Sequence, residues 1–117
     1  MIALSIKGGF MSTFNDREAG FEGKFAHDEA QEFKATARRT RLLGLWAAER
    51  MGLEGQHRED YAAAIVRMEL TPAGDAGVLR KVSGDLAGAG LKVSEDQVRG
   101  KMDELQAVAR GQIQAEG

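Results

Sequence analysis

Val93-Ser94-Glu95-Asp96-Gln97-Val98 is the stretch that decides how the rest of the chain is read. A serine followed three residues later by a glutamine forms a capping box. The serine hydroxyl accepts the N–H of residue 97, and the glutamine side chain reaches back to the N–H of residue 94. Val93 and Val98 flank the box as a hydrophobic staple. Beyond it Val98, Met102, Leu105 and Ala109 recur at steps of three and four, which puts them on one helical face. Glu95 and Arg99 stand four residues apart in the favoured order for an ion pair. From about Gly111 the end is expected to fray.

Working back from this start, Gly90 ends a preceding helix whose apolar residues are Val78, Leu79, Val82 and Leu86. Thr71-Pro72 reads as its beginning, with threonine as N-cap and the chain's only proline at the first helical position. Another helix covers about residues 56–70, with Tyr61, Ala64, Ile65 and Met68 on its apolar face. Before it, residues 12–51 read as one long helix closed by Gly52 as C-cap. Phe14, Phe21, Phe25, Phe33 and Ala37 recur along it at helical steps. Between Asn15 and Phe33 there are six acids (Asp16, Glu18, Glu22, Asp28, Glu29, Glu32) and two bases (Arg17, Lys24), followed by Lys34, Arg38, Arg39 and Arg41. Acid first and base last is the order that a helix dipole favours. No segment alternates with period two. The expected fold is all-α: a four-helix bundle with a long N-terminal helix whose first part is mobile. The expected divisions are residues 1–11 as leader, 12–28 as a separate mobile segment, 29–110 as the helical domain and 111–117 as tail.

The leader does not share the helical pattern of residues 12–110. The codons of Lys7-Gly8-Gly9 can spell a purine-rich ribosome-binding site just ahead of the Met11 codon, so Met11 is read as the native start.

Composition narrows the function. The chain has 117 residues, 29% of them charged and 43% hydrophobic, which suits one globular domain. A net charge of -2 argues against nucleic acid or an anionic membrane as the main partner. There are no cysteines, so disulfides, thiolate metal sites and cysteine nucleophiles are excluded, and a reducing compartment is suited. No run of 18 apolar residues offers a membrane span. His27 and His57 have acids nearby but no metal-ligand spacing, and no metal or cofactor is expected. Ser5, Ser12, Ser83 and Ser94 lack a nucleophile-elbow context, and the chain is read as a non-enzyme. The run GDLAGAG (residues 84–90) has no strand before it and lacks the closing Lys-Ser or Lys-Thr of a phosphate loop. Arg38, Arg39 and Arg41 read either as a solvated helix face or as a contact to an acidic partner or a nucleotide phosphate. Trp46 reads as a bundle anchor.

Residues 14–25 combine phenylalanines at helical spacing with Gly20 and Gly23, which weaken a helix by about 2 kcal/mol together. A 40-residue helix spans about 60 Å and a 15-residue helix about 22 Å, so part of the first helix would overhang its neighbours. Two readings stay open at this point. The segment folds onto a partner's groove, or it bends back at the glycines and buries its own phenylalanines.

The residues themselves carry a resemblance. Met11-Ser12-Thr13-Phe14-Asn15-Asp16-Arg17-Glu18, Phe21-Glu22, Lys24-Phe25-Ala26-His27-Asp28-Glu29, Ala37-Arg38-Arg39, LLGLWAAE (residues 42–49), Met51-Gly52, Arg80-Lys81-Val82, Asp85-Leu86 and Lys101-Met102-Asp103-Glu104-Leu105 together resemble the zeta subunit, the inhibitor of the F-type ATP synthase in alphaproteobacteria. The resemblance covers about residues 11–109. It implies a four-helix bundle with a mobile N-terminal segment that inserts at a catalytic interface between alpha and beta subunits, reaches gamma, and blocks hydrolysis and rotation. By position the inhibitory residues would be Phe14, Asp16, Arg17, Glu18, Phe21, Glu22, Lys24 and Phe25. The phenylalanines would be apolar anchors, and Asp16, Arg17, Glu18 and Glu22 would set register. Asn15, Gly20 and Gly23 depart from the family's usual pattern, and the two glycines raise the cost of ordering. The implied location is cytoplasmic, peripheral to the inner membrane. The alternatives are a small nucleotide-binding regulator holding ATP or ADP weakly through Arg38, Arg39 and Trp46, and a generic helical adaptor.

Overall fold

The computed structural model describes the backbone of residues 12–116 and the side chains of residues 28–116. The leader, residues 1–11, lies outside the described residues. The chain forms four helices in order: α1 (Ser12–Arg50), α2 (Gly55–Glu69), α3 (Gly74–Gly88) and α4 (Glu95–Glu116). There is no strand among the described residues. The all-α, four-helix expectation holds.

The chain divides into two units, Met1–Phe33 and Lys34–Gly117. In the first, the backbone is helical from Ser12, and the side chains of Asp28, Glu29, Ala30, Glu32 and Phe33 are exposed. Phe33 is 64% exposed.

The second unit holds the core. Leu43 and Ala47 of α1, Ile65 of α2, Val78, Leu79, Val82 and Leu86 of α3, and Val98 and Met102 of α4 form one buried cluster. Trp46, Tyr61, Met68, Leu91, Val93 and Leu105 pack around it. The expected apolar residues of α3 are all buried, and those of α4 are buried or half-buried. A smaller cluster joins Ala35 to Ala109 and Ile113. Residues 111–116, expected to fray, continue α4, and Ile113 is buried there.

The ends of the helices obey local chemistry. After α1 the N–H of Leu53 reaches the carbonyl of Ala48 at 2.9 Å, and that of Gly52 reaches Glu49 at 3.0 Å, with Gly52 at φ +82°. This is a Schellman closure, and it needs the left-handed conformation that glycine adopts without a Cβ penalty. Leu91 and Gly90 close α3 in the same way onto Leu86 and Ala87, and Leu91 adds the accompanying apolar contact. At α4 the capping box is present in both directions. The Ser94 hydroxyl accepts the Gln97 N–H at 3.1 Å, and Gln97 Oε1 accepts the Ser94 N–H at 2.8 Å. Ser94→Ala should therefore cost about 1 kcal/mol, read as a lower urea midpoint with an unchanged slope.

Three details differ from the sequence reading. Thr71 does not cap a helix that starts at Pro72. Its hydroxyl donates to the carbonyl of Met68 at 2.7 Å and accepts the Ala73 N–H at 3.3 Å, and the Gly74 N–H closes a turn onto the carbonyl of Thr71 at 3.0 Å. Helix α3 begins only at Gly74 (φ +52°), two residues late, because the turn must first reverse the chain. Second, Phe33 is exposed, although the α1 face it marks with Ala37 runs on through Thr40 and Gly44, each seven residues further along, into the face turned to the core. That core face is built from Ala35, Thr40, Leu43, Gly44, Ala47 and Ala48, all buried. Small residues allow close approach: a Cβ placed on Gly44 would lie 2.7 Å from Ala62 Cα. Third, Arg99 does not pair with Glu95; its charge acts on Asp75 instead.

Candidate functional site

The inhibitory residues proposed from the sequence, Phe14, Asp16, Arg17, Glu18, Phe21, Glu22, Lys24 and Phe25, all sit on the helical backbone of α1. Their side chains lie outside the described residues. The continuity of α1 through residues 12–28 keeps the three phenylalanines at helical spacing, with Phe21 and Phe25 one turn apart.

The basic cluster is described in full. Each of its three arginines closes onto a different part of the unit. Arg38 grips the Glu116 carboxylate of α4 with both guanidinium nitrogens, Nη2 at 3.0 Å from Oε1, and Nη1 also lies 3.3 Å from Gln112 Oε1. The hydrogen bond from Arg38 holds the Glu116 carboxyl below the usual range, helped by the charges of Arg38 and Lys34. Arg41 Nη2 lies 2.9 Å from Glu59 Oε1 of α2. Arg39 is 4% exposed, and its Nη2 reaches both Glu69 Oε1 at 3.1 Å and Asp75 Oδ1 at 2.9 Å. Arg39 is buried, Arg38 half-buried and Arg41 exposed. They tie α1 to α2, α3 and α4.

Trp46 is half-buried against the core, and its ring is attended by two cations. The Arg50 guanidinium and the Lys101 ammonium each lie 5.7 Å from the ring centroid. Arg38, Arg39 and Trp46, grouped in the sequence reading as a nucleotide site, thus have separate partners within the protein. Sequence reasoning missed Glu69, Asp75 and Glu116 as those partners. The acids that end α2, open α3 and close α4 were a signal, but one that takes meaning only once the helices are packed.

A third polar group lies between α2 and α3. The Tyr61 hydroxyl donates to Asp85 Oδ2 at 2.8 Å, and Lys81 Nζ lies 3.1 Å from the same oxygen. Burial, the hydrogen bond to Asp85 and the Asp85 charge push the Tyr61 phenol up, so it stays protonated and serves as a fixed donor. Among the described residues no group of three or more His, Asp or Glu side chains is placed to hold a metal ion. No helix among them is long and apolar enough to cross a membrane.

Comparison with known proteins now bears on these features. The sequence model of the family described as ATPase inhibitor subunit zeta matches residues 11–112. A solved structure, determined by solution NMR, is similar with a TM-score of 0.63 and 44% sequence identity, covering 74% of this chain and 98% of that one. No curated protein matches the sequence. The family match takes in the long α1 with its arginines, α2, α3 and α4 as far as residue 112, and it shows that the chain belongs to the ATPase inhibitor subunit zeta family.

Proposed function

We propose that this chain inhibits ATP hydrolysis by the F-type ATP synthase, using residues 12–28 of α1 as a wedge at a catalytic interface between alpha and beta subunits, next to gamma. The observation that carries this reading is the family match, which begins at residue 11 and so takes in the whole proposed segment.

Phe14, Phe21 and Phe25 would fill apolar pockets of the partner. Asp16, Arg17, Glu18, Glu22 and Lys24 would fix the register of the helix through charged contacts at the rim, which contribute specificity more than affinity. A helix held between two subunits that must close on each other during each hydrolytic cycle stops that closure, and rotation stops with it. The protein acts without performing chemistry itself, and its place is at the membrane's cytoplasmic side through the ATP synthase.

The test is ATP hydrolysis by purified bacterial F-type ATPase titrated with the chain starting at Met11. Dose-dependent loss of hydrolysis is expected. Tight binding with hydrolysis unaffected would make the protein an adaptor, and no binding at all would reject the reading.

A further inference from the structure

Glu69 ends α2 and Asp75 comes directly after the first residue of α3. The turn at residues 71–74 reverses the chain between them and sets both carboxylates on a single nitrogen, Nη2 of Arg39, at 3.1 and 2.9 Å. The Arg39 side chain is 5% exposed and that of Glu69 12%, whereas Asp75 is half-exposed at 53%. Two carboxylates thus face one guanidinium, Glu69 from the buried side and Asp75 from the solvent side. Like charges this close cannot both be retained cheaply, and one shared proton resolves the conflict.

The surroundings decide which carboxylate holds it. Glu69 is faced by Arg39 and Thr40 from α1 and by Asp75 from α3, and Arg99 of α4 acts through space on Asp75. Burial pushes Glu69 up to about 7, its hydrogen bond with Asp75 and the Asp75 charge add to this, and Arg39 and Thr40 offset only part. Asp75 is held below the usual range by the same hydrogen bond, then by Arg39 and by the charge of Arg99. These influences favour the proton on Glu69 over Asp75, with Arg39 reaching both carboxylates.

We propose that Arg39, Glu69 and Asp75 form a proton-dependent clamp between α1 and the α2–α3 turn, tight while Glu69 carries the shared proton and loosened when the proton leaves. A carboxyl whose folded value is raised contributes stability that is fully present below its ordinary value of 4.5 and is lost as pH rises through about 7. Asp75 works in the opposite sense and lower, since its stabilising part is lost only as pH falls below its ordinary 3.8. Between about pH 5 and 8 the Glu69 proton is consequently the one this cluster exchanges. The clamp acts on the helix that bears the proposed inhibitory segment, but its existence does not depend on that assignment.

Carboxyl carbon NMR of the full chain tests it directly. Glu69 should titrate near pH 7, and a midpoint below about pH 5 would overturn the clamp. Amide exchange at Gly74 and Gly77 reads its mechanical side. Local opening should rise about tenfold between about pH 6 and 8, as expected for a group whose affinity for the proton drops from the folded value to the ordinary one on opening. Glu69→Gln keeps the shape of the protonated side chain, so its exchange protection and thermal midpoint should stay flat over that range. Parallel pH curves for the two proteins would reject the proposal. Should Glu69→Gln fail to fold, the titration midpoint of the unaltered protein decides alone.

Discussion

Removal of residues 1–28 is expected to abolish inhibition of ATP hydrolysis while leaving the helical unit folded. The two halves of this expectation have different grounds. Folding is spared because every residue of the two buried clusters lies between Ala35 and Ile113, and the first described side chains, Asp28, Glu29 and Ala30, are exposed. Inhibition is lost because the truncation takes Phe14, Phe21 and Phe25 together. Interface anchors of this kind are worth about 2 kcal/mol each, and ordering the segment on binding, with Gly20 and Gly23 in it, costs about 2 kcal/mol. The surplus of about 4 kcal/mol corresponds to roughly a thousandfold in affinity. Hydrolysis titrations should therefore show no inhibition by the truncated chain at roughly ten times the concentration at which the longer one acts, and any residual binding should need roughly a thousand times that concentration. Far-ultraviolet circular dichroism and a cooperative thermal transition check the fold. An unfolded truncated chain would show that residues 1–28 hold the helices together, and retained inhibition would move the wedge elsewhere.

The helix ends that this expectation relies on were legible in the sequence, for a local reason. Gly52, Gly90 and the Ser94–Gln97 box each satisfy orphan backbone groups within a few residues, so neighbouring residues suffice to read them. The start of α3 was not, because Thr71-Pro72 fits a helix N-terminus and a turn equally well, and only the reversal needed to bring α2 against α3 selects the turn. The core face of α1 was obscured by its chemistry. It consists largely of alanine, glycine and threonine, which give a weak apolar signal but let Gly44 meet Ala62, while the strong aromatic signal at Phe33 marks a residue the core does not use. The basic cluster was visible, but its meaning was not. Arg39 finds its partners 30 and 36 residues away, and Arg38 finds Glu116 78 residues away. No spacing rule reaches that far. The spacing of Phe14, Phe21 and Phe25 singled out a segment for a partner or for burial within the protein, and the proposed inhibitory role rests on the resemblance, because an amphipathic segment does not by itself name the groove it fits.

Replacing Arg39 by alanine should strongly destabilise the helical unit. Its guanidinium is the sole cation within hydrogen-bond reach of both Glu69 and Asp75 among the described residues. Removing one member of a buried ion pair leaves the other charge without compensation and typically costs about 3–5 kcal/mol. The half-exposure of Asp75 screens its share, which places the expected loss near the lower bound, about 3 kcal/mol. For a unit of this size each kcal/mol lowers the thermal midpoint by about 4–8 °C, so the drop should reach about 12–24 °C. Its pH dependence distinguishes a lost charge partner from a mere cavity. In the unaltered protein Arg39 favours the ionised Glu69 that forms as pH rises through about 7, and without the guanidinium that ionisation is left opposed by burial and by Asp75; near pH 5 Glu69 keeps its proton in both proteins. The Arg39→Ala deficit should therefore be larger at about pH 8 than at about pH 5. Adding Glu69→Gln to Arg39→Ala should recover part of the loss near pH 8, since the residual repulsion is gone, and little near pH 5. A deficit equal at both pH values and unchanged by the second substitution would mean that Arg39 contributes through the packing of its stem alone, and the carboxylates would then be bystanders to the tie between α1 and the α2–α3 turn.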